Sequence, residues 1–175
     1  MLTLETPRLQ LRQIGRSDFK LFRLLHQDPE IIRLCFDAPS MDEIKQRFEE
    51  RLPVWQPGSD QWLCMTIVLK SNQAKVGVTG FKVSNRVAEV GYLMLTEYQG
   101  MGIATESLKC VLDWGISQLD VSKFNAVVTQ GNHGSERVLE KCGFHIKAIE
   151  KEAYVIGGKT YDDIIYQRNV TKRGE

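Results

Sequence analysis

A chain of 175 residues with 42% hydrophobic and 26% charged side chains has the composition of a globular domain, which excludes fibrous and disordered classes. Lys and Arg total 23 against 22 Asp and Glu, and the resulting net charge of +1 provides neither a broad nucleic-acid-binding field nor a polybasic membrane anchor. No apolar run approaches the ~20 residues of a spanning helix and no secretory signal opens the chain, so a cytoplasmic protein without direct nucleic-acid or membrane contacts is expected.

Leu9 and Leu11, alternating with Arg8, Gln10 and Arg12, predict a first strand. Ser17 is then expected to open a helix carrying Leu21, Leu24 and Leu25, stopped by Asp28-Pro29. Ser40 and Glu43 form a capping box before a second helix with Ile44, Phe48 and Leu52 on one face, closed by Pro53. Trp62 to Leu69, Val76 to Val83 and Ala88 to Leu95 read as three strands, so tightly spaced that they must be antiparallel neighbours. From Gly102 the period changes to that of a long helix through Ala104, Leu108, Val111, Leu112, Gly115 and Leu119. A short strand, Phe124 to Thr129, precedes a helix begun by Asn132 and ended by Gly143 as a left-handed cap with Phe144 beside it. Gly157-Gly158 marks a final hairpin, and Thr171 to Glu175 are expected to fray. No repeat or linker divides residues 1–175, so one α+β domain is expected.

Cys35, Cys64, Cys110 and Cys142 lie far apart, and none stands at metal-ligand spacing to His26, His133 or His145. Reduced, mostly buried thiols and no metal are expected.

The segment Gln99-Gly100-Met101-Gly102-Ile103-Ala104 joins a strand to the best-patterned helix. The first N–H groups of a helix have no internal partner, and glycines let an anion approach them, so a phosphate or pyrophosphate is the natural ligand. The segment is not a G-x-x-x-x-G-K-[ST] loop, and G-x-G-x-x-G fails at Thr105.

Q-x-x-G-x-A in this setting resembles the acetyl-CoA pyrophosphate loop of the GNAT superfamily of N-acetyltransferases. Asn132-x-x-Ser135 followed by Gly143-Phe144 is similar to the superfamily's next motif. The opening Glu5-Thr6-Pro7-Arg8-Leu9-Gln10-Leu11-Arg12 resembles that of RimJ/RimL-type ribosomal-protein N-terminal acetyltransferases. Ala88-Glu89-Val90-Gly91-Tyr92 and Ala104-Thr105-Glu106-Ser107 are similar to two further stretches of that subgroup.

The resemblance implies a mostly antiparallel sheet, splayed between the fourth and fifth strands and flanked by helices on both faces. It implies that Met94, Leu95 and Thr96 bond the pantetheine arm of acetyl-CoA through their backbone, that Gln99 to Ala104 hold the pyrophosphate, and that Asn132 contacts the cofactor. Asn132 also reads as a plain N-cap. Leu139 stands where many relatives carry a tyrosine acid, which leaves Ser135 either as the replacement acid or as a small helix residue beside the cofactor. Glu89 is the candidate base, with Tyr92 and Glu97 in reserve; on an alternating strand it reads equally as a solvated residue. A strong base is not required, because a free α-amine is about one-third neutral near pH 7.5 whereas a lysine is only ~0.1% neutral. Trp55 and Trp62 read as packing aromatics or a wall of an acceptor groove, and His133 as a bystander.

Direct acetyl transfer to a primary amine is therefore expected, with a protein N-terminus such as that of a ribosomal protein as acceptor, in a monomer or homodimer. A polyamine or aminoglycoside acceptor, or a non-catalytic acyl-CoA-binding module, is the alternative.

Overall fold

The computed structural model describes residues 1–171; the expected fraying concerns a tail lying almost wholly outside them. The alternation at Leu9 and Leu11 forms the strand β2 (Leu9–Gln13), with both leucines fully buried. A short strand not anticipated from the sequence, β1 (Thr3–Glu5), pairs antiparallel with it. Its three residues are too few to show a period.

The apolar run and the two strands after it form β3 (Leu63–Leu69), β4 (Lys75–Ser84) and β5 (Val87–Met94). Strand β6 (Lys123–Thr129) follows, and β7 (His145–Ile156) and β8 (Lys159–Asn169) close the chain. The sheet order is β1-β2-β3-β4-β5-β6-β8-β7. Every neighbour pair is antiparallel except β5–β6, which is parallel and matches only Val87 with Lys123, Ala88 with Phe124 and Glu89 with Asn125. The splay lies between the strands the sequence identified; counting β1, they are the fifth and sixth.

Helices cover both faces. On one side α4 (Ile103–Gln118) and α5 (His133–Lys141) bury Leu108, Val111, Leu112 and Leu139 against Phe81, Phe124 and Tyr166. On the other, α1 (Phe19–Gln27), α2 (Pro29–Ile32) and α3 (Met41–Glu49) bury Phe22, Leu25, Ile32, Ile44 and Phe48 over Cys64 and Val78. Each such side chain removed from water contributes about 1.5–3 kcal/mol. The Ser40–Glu43 capping box starts α3. Gly143, at φ +83°, ends α5 with Phe144 N–H donating to the Leu139 carbonyl at 3.0 Å, a conformation a Cβ disfavours.

Two expectations are corrected and a third is extended. Ser17 does not open α1; it lies in a 3-10 turn, Arg16–Asp18. The buried Asp18 carboxylate receives Arg12 through both guanidinium nitrogens at 2.7 Å, Lys75 at 2.6 Å and Gly15 N–H at 2.9 Å, so tertiary ion pairing fixes where the helix starts. Leu24 is exposed and Phe22 takes the buried place, because the face of α1 is set by α3. Asp28 not only ends α1 but caps α2, accepting from Glu30 N–H at 2.9 Å.

Among the described residues, no helix is long and apolar enough to cross a membrane.

Candidate active site

The β5–β6 ladder stops after Glu89 and Asn125, although both strands continue for several residues. Leu95 N–H donates to the Val76 carbonyl on β4 at 2.9 Å. By two-residue alternation, the main-chain groups of Val90, Tyr92 and Met94 therefore face away from β4, into the wedge beside β6. The wedge connects two clefts, one toward the starts of α4 and α5 and one toward α1 and the end of α3; Leu34, Cys35, Tyr92, Leu93, Asn132 and Ser135 line both.

The first cleft, about 540 Å³, runs between the end of β5, the start of α4 and the start of α5. Gly102 is the N-cap of α4 at φ +76° and Gly100 has φ +74°, left-handed backbone that most side chains resist. No side chain caps α4, so its first amides stay open to the cleft. Behind the loop, Arg8 Nη1 donates to the Met101 carbonyl at 3.0 Å and Arg8 Nε to Glu106 at 2.7 Å, while Thr6 Oγ1 donates to Glu106 at 2.5 Å. Burial would raise the Glu106 pKa, but the bonds from Thr6 and Arg8 outweigh it and hold the carboxyl below its usual range.

Of the sequence-derived cofactor residues, Met94, Gln99, Gly100, Gly102, Ile103, Ala104 and Asn132 line this cleft, whereas Leu95, Thr96 and Met101 do not. The Leu95 N–H is bonded to Val76 and its carbonyl accepts from Tyr98 N–H at 3.0 Å, so both its main-chain groups are engaged within the chain. Gln99 Nε2 donates to the Met94 carbonyl at 3.2 Å, which leaves the Met94 N–H facing the wedge. Asn132 acts as the N-cap of α5, accepting from Ser135 N–H at 3.3 Å, and its side chain stands at the cleft as well.

The second cleft, about 390 Å³, opens toward α1 and the end of α3. Its floor is the row Cys64, Gly80 and Gly91 on adjacent strands, and the Trp62 ring lies 3.3 Å from where a Gly91 Cβ would stand. Glu89 is exposed at its rim, and Tyr154 and Asp163 border it. Trp62 is thus a wall residue, whereas Trp55, half-buried, packs against the core and meets Phe81 and Trp114 edge-on at 6.0 Å.

Ser135 stands where the clefts join. The Tyr92 hydroxyl donates to the Ser135 carbonyl at 3.1 Å, and burial pushes its pKa well above the usual phenol value, so it is held as a neutral donor. Glu97 lines neither cleft. His133 borders the first cleft and pairs with Glu136 at 2.7 Å. Burial pushes the Cys64 thiol up to about 12 and Cys142 to about 11, which disfavours the thiolate. Of the thiols expected to be mostly buried, Cys35 and Cys110 are only half-buried; Cys35 lines both clefts and Cys110 neither.

Sequence reasoning missed several lining residues. Arg33, Arg137 and Lys141 border the first cleft, with no carboxylate within ion-pair distance of any of them among the described residues. Arg137 and Lys141 are four apart on α5, a spacing that places two cations on one face from sequence alone. Arg51 borders the second cleft, and no local pattern marks it.

A CoA diphosphate fits the first cleft: open helix amides, two glycines without Cβ atoms and three unpaired cations face one cavity. No group of His, Cys, Asp and Glu among the described residues is arranged to hold a metal ion.

Comparison with known proteins gives a concordant picture. The model of the acetyltransferase (GNAT) domain matches residues 8–145. The uncharacterized N-acetyltransferase YoaA of Bacillus subtilis (strain 168) is 28% identical over 169 residues, covering 93% of this chain and 94% of that protein. The RimL ribosomal L7/L12 alpha-N-protein acetyltransferase, solved with coenzyme A, superposes with a TM-score of 0.84 at 21% identity, covering 97% of this chain and 98% of that one. The spermidine N-acetyltransferase of Vibrio cholerae, solved with CoA and spermine, gives a TM-score of 0.81 at 21% identity over 94% and 96% of the two chains. At these identities the two structures speak for the fold.

Proposed function

The chain belongs to the GNAT acetyltransferase family and is an acetyl-CoA-dependent N-acetyltransferase; from that premise we propose that it acts on the α-amine of a protein N-terminus, as RimJ/RimL-type enzymes do. The observation that carries the reading is the wedge between β5 and β6, where a cleft suited to a diphosphate meets a second, open groove.

The amides opening α4 bind the diphosphate, and Arg33, Arg137 and Lys141 offer charge to a further phosphate. Bound acetyl-CoA supplies an acetyl group activated as a thioester. The Met94 N–H, facing the wedge, donates to the oxygen on which negative charge develops. Glu89 takes the proton of the attacking amine through water from the groove's rim. The Ser135 hydroxyl, at the junction, delivers a proton to the departing sulfur. The thiols that line the groove, Cys35 and Cys64, both have their pKa raised by burial, which argues for direct attack without an acyl-cysteine.

A second reading, a polyamine acceptor, draws support from the carboxylates Glu89 and Asp163 on the groove and from the Vibrio cholerae neighbour. Release of free thiol from acetyl-CoA, measured with N-terminal peptides, spermidine and aminoglycosides, tests the assignment. Peptides are expected to be the better acceptors; turnover confined to small amines overturns the N-terminal reading.

A further inference from the structure

Arg51 follows α3 and enters the acceptor groove from the β3 side. Its guanidinium carbon lies 5.5 Å from the centre of the Phe22 ring, and one Nη1 hydrogen goes to the Arg47 carbonyl. A guanidinium has five donors, and no carboxylate lies within ion-pair distance of this one among the described residues. A half-buried cation without an ion-paired carboxylate is unfavourable, and burial lowers its pKa, with the more distant Glu50 offsetting only part of that. The desolvation lowers His26 too, with Arg51 and Arg47 adding to it, so this end of the groove is electropositive. The opposite flank is acidic: Asp163 stands on β8, beyond the wedge, and Glu89 on β5.

We propose that Arg51 receives a carboxylate of the acceptor, so that the preferred substrate is an N-terminal segment with Asp or Glu in its first few residues. The proposal rests on the acetyl-transfer reading above and sharpens it. The reacting amine must stand at the wedge, beside Leu93 and Ser135. Arg51 lies toward β3, whose Cys64 is two strand spacings from Gly91, about 10 Å. An extended peptide covers that span in about three residues at ~3.3 Å each. The carboxylate therefore belongs near the third residue. A polyamine has no group for Arg51 and would bring further positive charge against it.

The test uses the full chain with acetyl-CoA and peptide amides differing at one place, Ser-Ala-Asp-Phe against Ser-Ala-Asn-Phe and Ser-Ala-Lys-Phe, with spermidine as the polycation. The Asp peptide is expected to exceed the Asn peptide in kcat/KM by about tenfold, equal to about 1.4 kcal/mol, mostly through KM. Arg51→Gln should bring that ratio close to one, and Arg51→Lys should keep part of it, with a thermal melt confirming that each variant is folded. Equal use of the Asp and Asn peptides, preference for the Lys peptide or spermidine, or an unchanged ratio in Arg51→Gln overturns the proposal while acetyl transfer stands. If no amine is acetylated, the transfer reading fails instead. Calorimetric titration of the same peptides into wild-type and Arg51→Gln protein then decides the role of Arg51.

Discussion

Arg8 Nε donates to the Glu106 carboxylate across 2.7 Å, joining the opening motif of the chain to the first turn of α4, 98 positions later. The same guanidinium holds the Met101 carbonyl, so the glycine loop is braced from the side away from the cleft.

Arg8→Ala should accordingly loosen the loop more than the fold. The pair is partly exposed, and such pairs contribute about 0–1 kcal/mol, a melting shift of no more than about 4 °C. Losing the brace is expected to raise the KM for acetyl-CoA about three- to tenfold with a smaller effect on kcat. Steady-state kinetics at saturating acceptor measures the split.

Gly102→Val meets two obstacles. At φ +76° a β-branched residue is strained by about 1–2 kcal/mol, and its Cβ would stand 3.4 Å from an Arg8 nitrogen. Both effects displace the loop that Arg8 holds through the Met101 carbonyl, and with it the amides at the start of α4. CoA affinity, read by calorimetry, is expected to fall at least about tenfold.

Glu89→Gln and Ser135→Ala should lower kcat while leaving CoA affinity nearly intact, since each acts on a proton. About 10²-fold is expected for Glu89, the low end for a general base, because an α-amine is already partly neutral. If both variants turn over at the wild-type rate, the proton path lies elsewhere.

His26 provides the pH dependence of stability. Its Nδ1 lies 2.7 Å from the Phe22 carbonyl and its ring is stacked between Phe22 and Phe36. Burial first, then Arg51 and Arg47, push its pKa down to about 4, against 6.5 for the free side chain. The unfolded chain therefore takes up a proton before the folded one does. The contribution is complete above about pH 6.5 and is lost as pH falls toward 4, with about 2 kcal/mol gone at pH 5. Denaturant titrations at pH 7.5 and pH 5 should show that loss in the wild type and its absence in His26→Gln, after subtraction of the change common to both.

The sequence exposed the parts of the site governed by local chemistry. The glycine loop, the Asn132 cap, the Gly143 cap and the turn at Gly157 and Gly158 each depend on a few adjacent residues, and each lies where expected. The strands of the middle segment were legible from their apolar runs, and α4 from its period. The start of α1 was not, because a carboxylate gathered by Arg12, Lys75 and Thr66 from separate strands decides it. Nor was Arg51, which reaches the groove only because the end of α3 folds over Phe22 and β3.

Three rungs join β5 to β6, so the sheet amounts to two slabs sharing a short seam. Whatever lodges in the opening serves as mortar as well as reagent. Without it, that short seam and the packing of α4 against Phe81 and Phe124 join the slabs, and each turnover strips out and replaces part of the enzyme's own masonry.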